Sequence, residues 1–291
     1  MKDTGEERRD TRAALPFVLP FVVVFGLLFV YPTLQMVASS FTDASLTLPG
    51  DWVGLANYER LIGDRAFWRS AMSTGAFAAM TVIPSTILGL FIAMGISRMR
   101  GFLQGLTLAL FFLPYILPAS VIANFWAGLL EPDGLLGHPS ELLTGRRVSV
   151  LLLNAWFLPA VALITVWWTI GFNVLLFLAG LRAVPPELYE AATLDGASPL
   201  TQFRQITWPL VWPVTLLVFT LQLILQIKVF DQAYLLNSSG AAPKPLVQYI
   251  YMHAFQFNQS GYGATVALAL FVLVVVVSVF QFQLLRARGA R

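Results

Sequence analysis

The sequence predicts an all-α membrane protein of six transmembrane helices, with a two-helix loop between the fourth and fifth. Composition is the first reason: of 291 residues 57% are hydrophobic and 11% charged, and mean hydropathy is +0.74. Soluble domains carry roughly 25% charged residues, so water is not the main solvent of this surface. The second is that the apolar residues gather into runs of about 20, enough at about 1.5 Å per residue to cross a hydrocarbon core of about 30 Å. The third is one long polar interruption late in the chain, written in the punctuation of two short helices.

The spans fall at 14–37, 70–96, 106–129, 158–181, 212–230 and 264–285. The first follows Lys2, Arg8, Arg9 and Arg12. It is too long for a signal peptide and has no small-residue cleavage site, so it is expected to be retained, with 1–13 as an N-terminal tail and 286–291 as a C-terminal one. Pro84, Pro114 and Pro118 lie inside spans, where neighbouring helices and water re-satisfy carbonyls freed by a kink. Six crossings put both termini on one side. Placing that side in the cytoplasm collects Arg98, Arg100, Arg182, Arg204, Arg286, Arg288 and Arg291 there with the N-terminal cations, against Arg60, Arg65, Arg69, Arg146, Arg147 and Lys244 outside. Trp52, Tyr58, Trp68, Tyr234, Tyr249 and Tyr251 in the outer segments are candidate interfacial anchors.

The loop at 182–209 carries the most information. Pro185 and Pro186 suit a first helical turn, Glu187 sits at the positive end of the dipole, and Gly196 can take the left-handed conformation that stops the helix. Ser198 then caps a second helix with Pro199 at its first position; Leu200, Phe203 and Ile206 give it an apolar face, and Pro209 is expected to close it. A knob exposing apolar residues to water calls for a covering protein, although a solvated connector would read similarly.

Within that loop Glu190-Ala191-Ala192, then Gly196, then Ile206 and Pro209 resemble the signature of ABC import permeases. Trp208 stands where that family usually has Leu. The flanks resemble the carbohydrate branch: Phe172-Asn173 leading to Leu178-Ala-Gly-Leu181, Glu187-Leu-Tyr189, Asp195-Gly-Ala-Ser198 and Val53-Gly-Leu-Ala-Asn-Tyr58. Many relatives carry Gly-Gly-Pro in the third outer segment, where this chain has Ser239-Gly-Ala-Ala-Pro243. The resemblance covers nearly the whole chain and implies the type I importer permease fold in a bacterial or archaeal cytoplasmic membrane, with both termini cytoplasmic. It implies that the loop seats in a cleft of a dimeric ATP-binding subunit: Glu190 would pair with a basic group or helix end there, Ala191 and Ala192 would permit close approach, Asp195 and Gly196 would form the turn, and Ile206 and Pro209 would fix the second helix. It also implies a second, usually non-identical permease, an extracytoplasmic solute-binding protein and a carbohydrate substrate. ATP and Mg would be used by the partner ATPase, with no cofactor in this chain.

Spans four and five run in opposite directions, so their middles share a depth near the bilayer centre. Trp168, Thr169, Phe172 and Asn173 lie there on one, Gln222 and Gln226 on the other. Amides in hydrocarbon are costly without partners, so these residues either line a wet sugar cavity or bond between helices. Lys228 and Asp231 read as a mutually neutralising or snorkelling pair, or as a site for an anionic substrate.

The chain has no phosphate-cradling Gly-Lys pair and no Cys, and His138 and His253 lack metal-ligand spacing. Neither ATPase nor other enzymatic chemistry is expected, nor a metal site. The scattered cations make no nucleic-acid stripe. The rival reading is a secondary carrier driven by an ion gradient, which would place acidic residues at midspan; a membrane-embedded lipid enzyme would need a polar catalytic cluster.

Overall fold

The computed structural model describes residues 16–136, 141, 145, 149–237 and 243–289. The proposed N-terminal tail at 1–13, His138, Arg146, Arg147, Ser239–Ala242 and Arg291 lie outside the described residues. The chain divides into two compact units. One takes residues up to Asp64 together with Ile250–Phe271; the other takes Arg65–Tyr249 and the residues after Phe271.

In the first unit, α1 spans Pro16–Ser39 with one wide turn at Gly26–Val30. None of its residues is buried, so lipid or another polypeptide must solvate a largely apolar helix. The segment after it folds back through α2 (Ala56–Gly63). Asn57, buried, donates to the carbonyls of Ser40 at 3.0 Å and Thr42 at 2.8 Å, and Tyr58 Oη lies 2.7 Å from Ser40 Oγ. The Asn-Tyr pair that ends the first outer motif is therefore the staple of its own loop. The start of α11 (Ser260–Gly289) joins this unit through the Thr265 hydroxyl, which donates to Ser40 O at 3.1 Å.

In the second unit α3 (Arg65–Ser97), α4 (Gly101–Ile116), α5 (Ala119–Leu129), α6 (Asn154–Arg182) and α8 (Pro199–Ile227) are long and apolar, while α7 (Pro186–Leu194), α9 (Asp231–Leu236) and α10 (Leu246–Tyr251) are short. The helix α6 is the hub: it packs on α3, α4 and α8, and buries Phe157, Val161, Ile164, Val174 and Phe177. One apolar cluster joins Phe77 of α3, Ile122 of α5, Phe157 of α6 and Ala233 of α9. A second joins Leu90 and Ala93 of α3, Val174 and Phe177 of α6, and Val211 and Val218 of α8. Close approach has a specific requirement at Gly171, where a Cβ would stand 2.1 Å from the Phe111 carbonyl oxygen of α4.

Among the described residues, five helices have the length and composition of membrane spans; α4 and α5 make a sixth if the pair is one broken span. The expectation of a single helix over 106–129 is corrected: α4 and α5 meet at 97°. Leu117 precedes Pro118 and is extended at φ −75°, ψ 140°, because the proline ring disfavours helical geometry in the residue before it. Pro209 also departs from expectation. It does not close the second loop helix, since α8 runs unbroken from Pro199 to Ile227 through a wide turn at Phe203–Thr207. Pro209 occupies the first turn of the α-helical stretch that follows, where its missing N–H costs least. Of the proposed anchors, Trp52 and Trp68 are exposed, while Tyr249 is buried.

Gly171→Val should cost about 1–3 kcal/mol through overpacking, while Gly26→Ala, with no atom within 4 Å of the added Cβ, should stay within about 0.5 kcal/mol of the parent. Thermal unfolding of the detergent-solubilised chain measures both.

Candidate functional site

The knob between α6 and α8 is built as its punctuation implied. Gly196 adopts φ +75°, Gly196 N donates to Thr193 O at 3.1 Å and Ala197 N to Ala192 O at 2.9 Å. Those two bonds complete a Schellman stop, which satisfies carbonyls that a helix end otherwise orphans. Ser198 accepts from Thr201 N at 3.3 Å as the N-cap of α8. Two longer ties hold the halves together: Gln202 Nε2 donates to Thr193 Oγ1 at 3.1 Å, and Tyr189 Oη lies 3.0 Å from Thr207 Oγ1. The knob is further joined to the helix ends behind it by Arg182 donating to Gln104 Oε1 at 2.9 Å, while Gln104 Nε2 donates to Ile96 O at 3.0 Å.

This arrangement leaves Glu190, Ala191 and Asp195 exposed, with Ala192 and Ile206 half-buried. Leu194 is 89% exposed and Leu200 58%. Large aliphatic side chains on both sides of the turn, beside two carboxylates, form a surface suited to a protein with an apolar, basic cleft.

The midspan residues come together as a relay. Gln226 Nε2 donates to Gln222 Oε1 at 3.0 Å, Gln222 Nε2 to Asn173 Oδ1 at 2.7 Å, and Asn173 Nδ2 to the Ser85 carbonyl at 3.4 Å. All three amides are buried; Asn173 joins α6 to α3 and Gln222 joins α8 to α6, while Gln226 bonds within its own helix. Thr169 donates to Thr165 O within its own helix at 2.9 Å. Trp168 and Phe172 are half-buried. The Trp168 indole N–H donates to Leu117 O at 3.3 Å, and Phe172 stacks on Tyr115 with centroids 5.1 Å apart and planes at 15°. Sequence reasoning missed Ser85, Tyr115 and Gln232, whose amide donates to Thr165 Oγ1 at 3.3 Å; nothing local in α3 or α4 marks a carbonyl or ring that a distant helix will use. Lys228 ends α8 and Asp231 opens α9, and among the described residues no ion pair joins them.

In the first unit, Arg60 donates to Gln259 Oε1 at 3.0 Å and covers the Tyr262 ring at 3.9 Å, Tyr262 donates to Asp64 Oδ2 at 2.7 Å, and His253 Nδ1 lies 3.1 Å from Gln259 Oε1. Burial holds the His253 imidazole below its ordinary value of 6.5; Arg60 adds to that, while the Gln259 bond and Asp64 oppose it. Among the described residues there is no cluster of three side chains able to hold a metal.

Apolar helices of spanning length, with a stapled two-helix knob between α6 and α8, define a multi-pass transport permease. The chain belongs to the family described as binding-protein-dependent transport system inner membrane component, which matches residues 85–291. It is 33% identical over 261 residues to the trehalose/maltose transport system permease protein MalF of Thermococcus litoralis, covering 88% of this chain and 86% of that one. It is 32% identical over 260 residues to the arabinooligosaccharides transport system permease protein AraP of Bacillus subtilis, covering 86% and 81%. A subunit of a bacterial ABC transporter involved in the import of the acidic polysaccharide alginate shares the fold, with a TM-score of 0.81 over 97% of this chain and 98% of that one at 18% identity.

Two outcomes are expected. Asn173→Leu, which removes both an acceptor and a donor, should destabilise the purified chain by about 1–2 kcal/mol and by more than Gln226→Leu, read by thermal unfolding. Because the folded pKa of His253 lies below its unfolded value, its contribution is intact above pH 6.5 and declines as pH drops from there through the lowered folded value. His253→Gln should flatten the loss of thermal stability between about pH 7 and 5.

Proposed function

We propose that the chain is the membrane-spanning permease subunit of an ATP-driven importer, moving a carbohydrate that an extracytoplasmic binding protein delivers. The observation that carries the reading is the knob: Glu190-Ala191-Ala192 precede a Schellman turn at Gly196, and bonds on both sides hold the turn to the start of α8. A connector with no mechanical role has no need of two side-chain ties between its halves. The knob seats in a dimeric ATPase that binds ATP and Mg, and closure of that dimer swings α6 and α8 through the laced midspan. Both termini and the knob face the cytoplasm.

The carbohydrate assignment rests on the sugar names of the relatives and on the chemistry of the span centre. Phe172 and Tyr115 offer a stacked aromatic platform, and Asn173, Gln222 and Gln226 offer amides suited to hydroxyl edges. Opening α6 from α8 would exchange amide–amide bonds for amide–sugar bonds, a near-even trade that suits alternating access. A second permease, non-identical in this reading, covers part of the apolar surface that α1 leaves unburied, and catalysis in this subunit is confined to conformational work.

Glu190→Lys should abolish uptake of a delivered oligosaccharide, by about ten-fold or more if a charge-assisted contact worth about 1.5–3 kcal/mol is inverted, while membrane insertion stays normal. Counterflow and uptake assays in vesicles loaded with ATP or treated with an ionophore measure it. Undiminished uptake in Glu190→Lys, or uptake that collapses with the ion gradient and ignores ATP, would replace this account with an ion-driven carrier.

A further inference from the structure

Between α3 and the inner end of α8 lies a groove of about 400 Å³ lined by Thr86, Ile87, Leu90, Phe91, Phe203, Arg204, Trp208 and Thr215. Its walls are apolar apart from its two ends. Phe91 stacks on Phe203 at 6.2 Å, Phe203 lies 6.2 Å from Trp208, and Ile87, Phe91 and Trp208 are 49%, 56% and 38% exposed. At the mouth, Arg204 is exposed and among the described residues has neither a hydrogen bond nor an ion pair. At the blind end the Thr86 hydroxyl is buried without a partner.

We propose that this groove binds one anionic phospholipid, with an acyl chain along α3 and α8 and the phosphate on Arg204. Length favours a lipid over a protein helix. Along α8 the lining runs from Phe203 to Thr215, twelve residues or roughly 18 Å at about 1.5 Å per residue, about one leaflet of a core about 30 Å thick; a partner's span would need a groove running the whole thickness. Charge selects the headgroup, since the Arg204 guanidinium complements a phosphate that carries net negative charge. Trp208, beside Phe203 and Phe91, supplies an amphipathic ring of the kind that gathers near headgroups. The wide turn at Phe203–Thr207 aims Arg204 and Phe203 into the groove, so an occupied groove braces the helix that leaves the knob. Assignment to the cytoplasmic leaflet rests on the proposed orientation; the site itself does not.

The test uses the full chain with whatever subunits co-purify, reconstituted in vesicles of equal parts phosphatidylglycerol and phosphatidylcholine, re-extracted gently and weighed by native mass spectrometry. The parent should retain phosphatidylglycerol over phosphatidylcholine by about five-fold, the preference expected of one interfacial cation. Arg204→Gln should bring that ratio near one, Arg204→Lys should keep most of it, and Ile87→Trp, filling the groove, should lower total retained lipid. A photoreactive phenylalanine analogue at Phe91 should crosslink to lipid. A ratio near one in the parent, a ratio unchanged in Arg204→Gln, or a crosslink to polypeptide would overturn the proposal. Lipid retention is read without any transport assay, so loss of ATP-linked uptake and loss of this site are separate results.

Discussion

Hydrocarbon offers no hydrogen bonds, so every backbone group that leaves its helix inside the membrane must find a protein partner. That constraint explains how the break between α4 and α5 is met. Pro118 forces Leu117 out of helical geometry and frees a carbonyl, and the Trp168 indole from α6 reaches across to meet it. At midspan the Ser85 carbonyl receives the Asn173 amide, which in turn serves Gln222 and Gln226. The hub helix α6 supplies both partners. Its polar atoms are thus spent on holding its neighbours at fixed depth, and its apolar atoms on the two clusters either side.

The same helix ends in the knob, which joins packing to function. A stop at Gly196 and a cap at Ser198 place α7 and the first turn of α8 back to back, and the Tyr189–Thr207 and Gln202–Thr193 contacts prevent the halves from sliding independently. Beyond the knob α8 runs unbroken past Pro209, and on the other side Arg182 ties the end of α6 to Gln104 of α4. Leu194 and Leu200 stand exposed on this knob.

Much of this was legible in the sequence because the relevant signals are local. Apolar runs, the Gly196 stop, the Ser198-Pro199 cap and the Glu190-Ala191-Ala192 spacing each depend on a few neighbouring residues. The errors arose where a local cue had two outcomes. Proline at 118 bent its span by 97° rather than kinking it, since the direction of the following helix is set by what α5 packs on. Proline at 209 continued its helix because the preceding wide turn had already released the bond its ring would have broken. Gln222 and Gln226 were recognisable as a shared face, but their partner required knowing that α6 and α8 meet at Asn173. The Arg60, Gln259 and Tyr262 network joins residues nearly 200 positions apart, beyond any periodicity argument.

The central claim is that the knob is a seat for an ATPase. Gentle purification of the tagged chain from native membranes, with mass spectrometry of its companions, tests it most directly. The account predicts recovery of an ATP-binding subunit, lost when the exposed face of the knob is altered at Leu194 and Glu190 while the chain remains in the membrane. Recovery of the chain alone after crosslinking, with the knob intact, would contradict it.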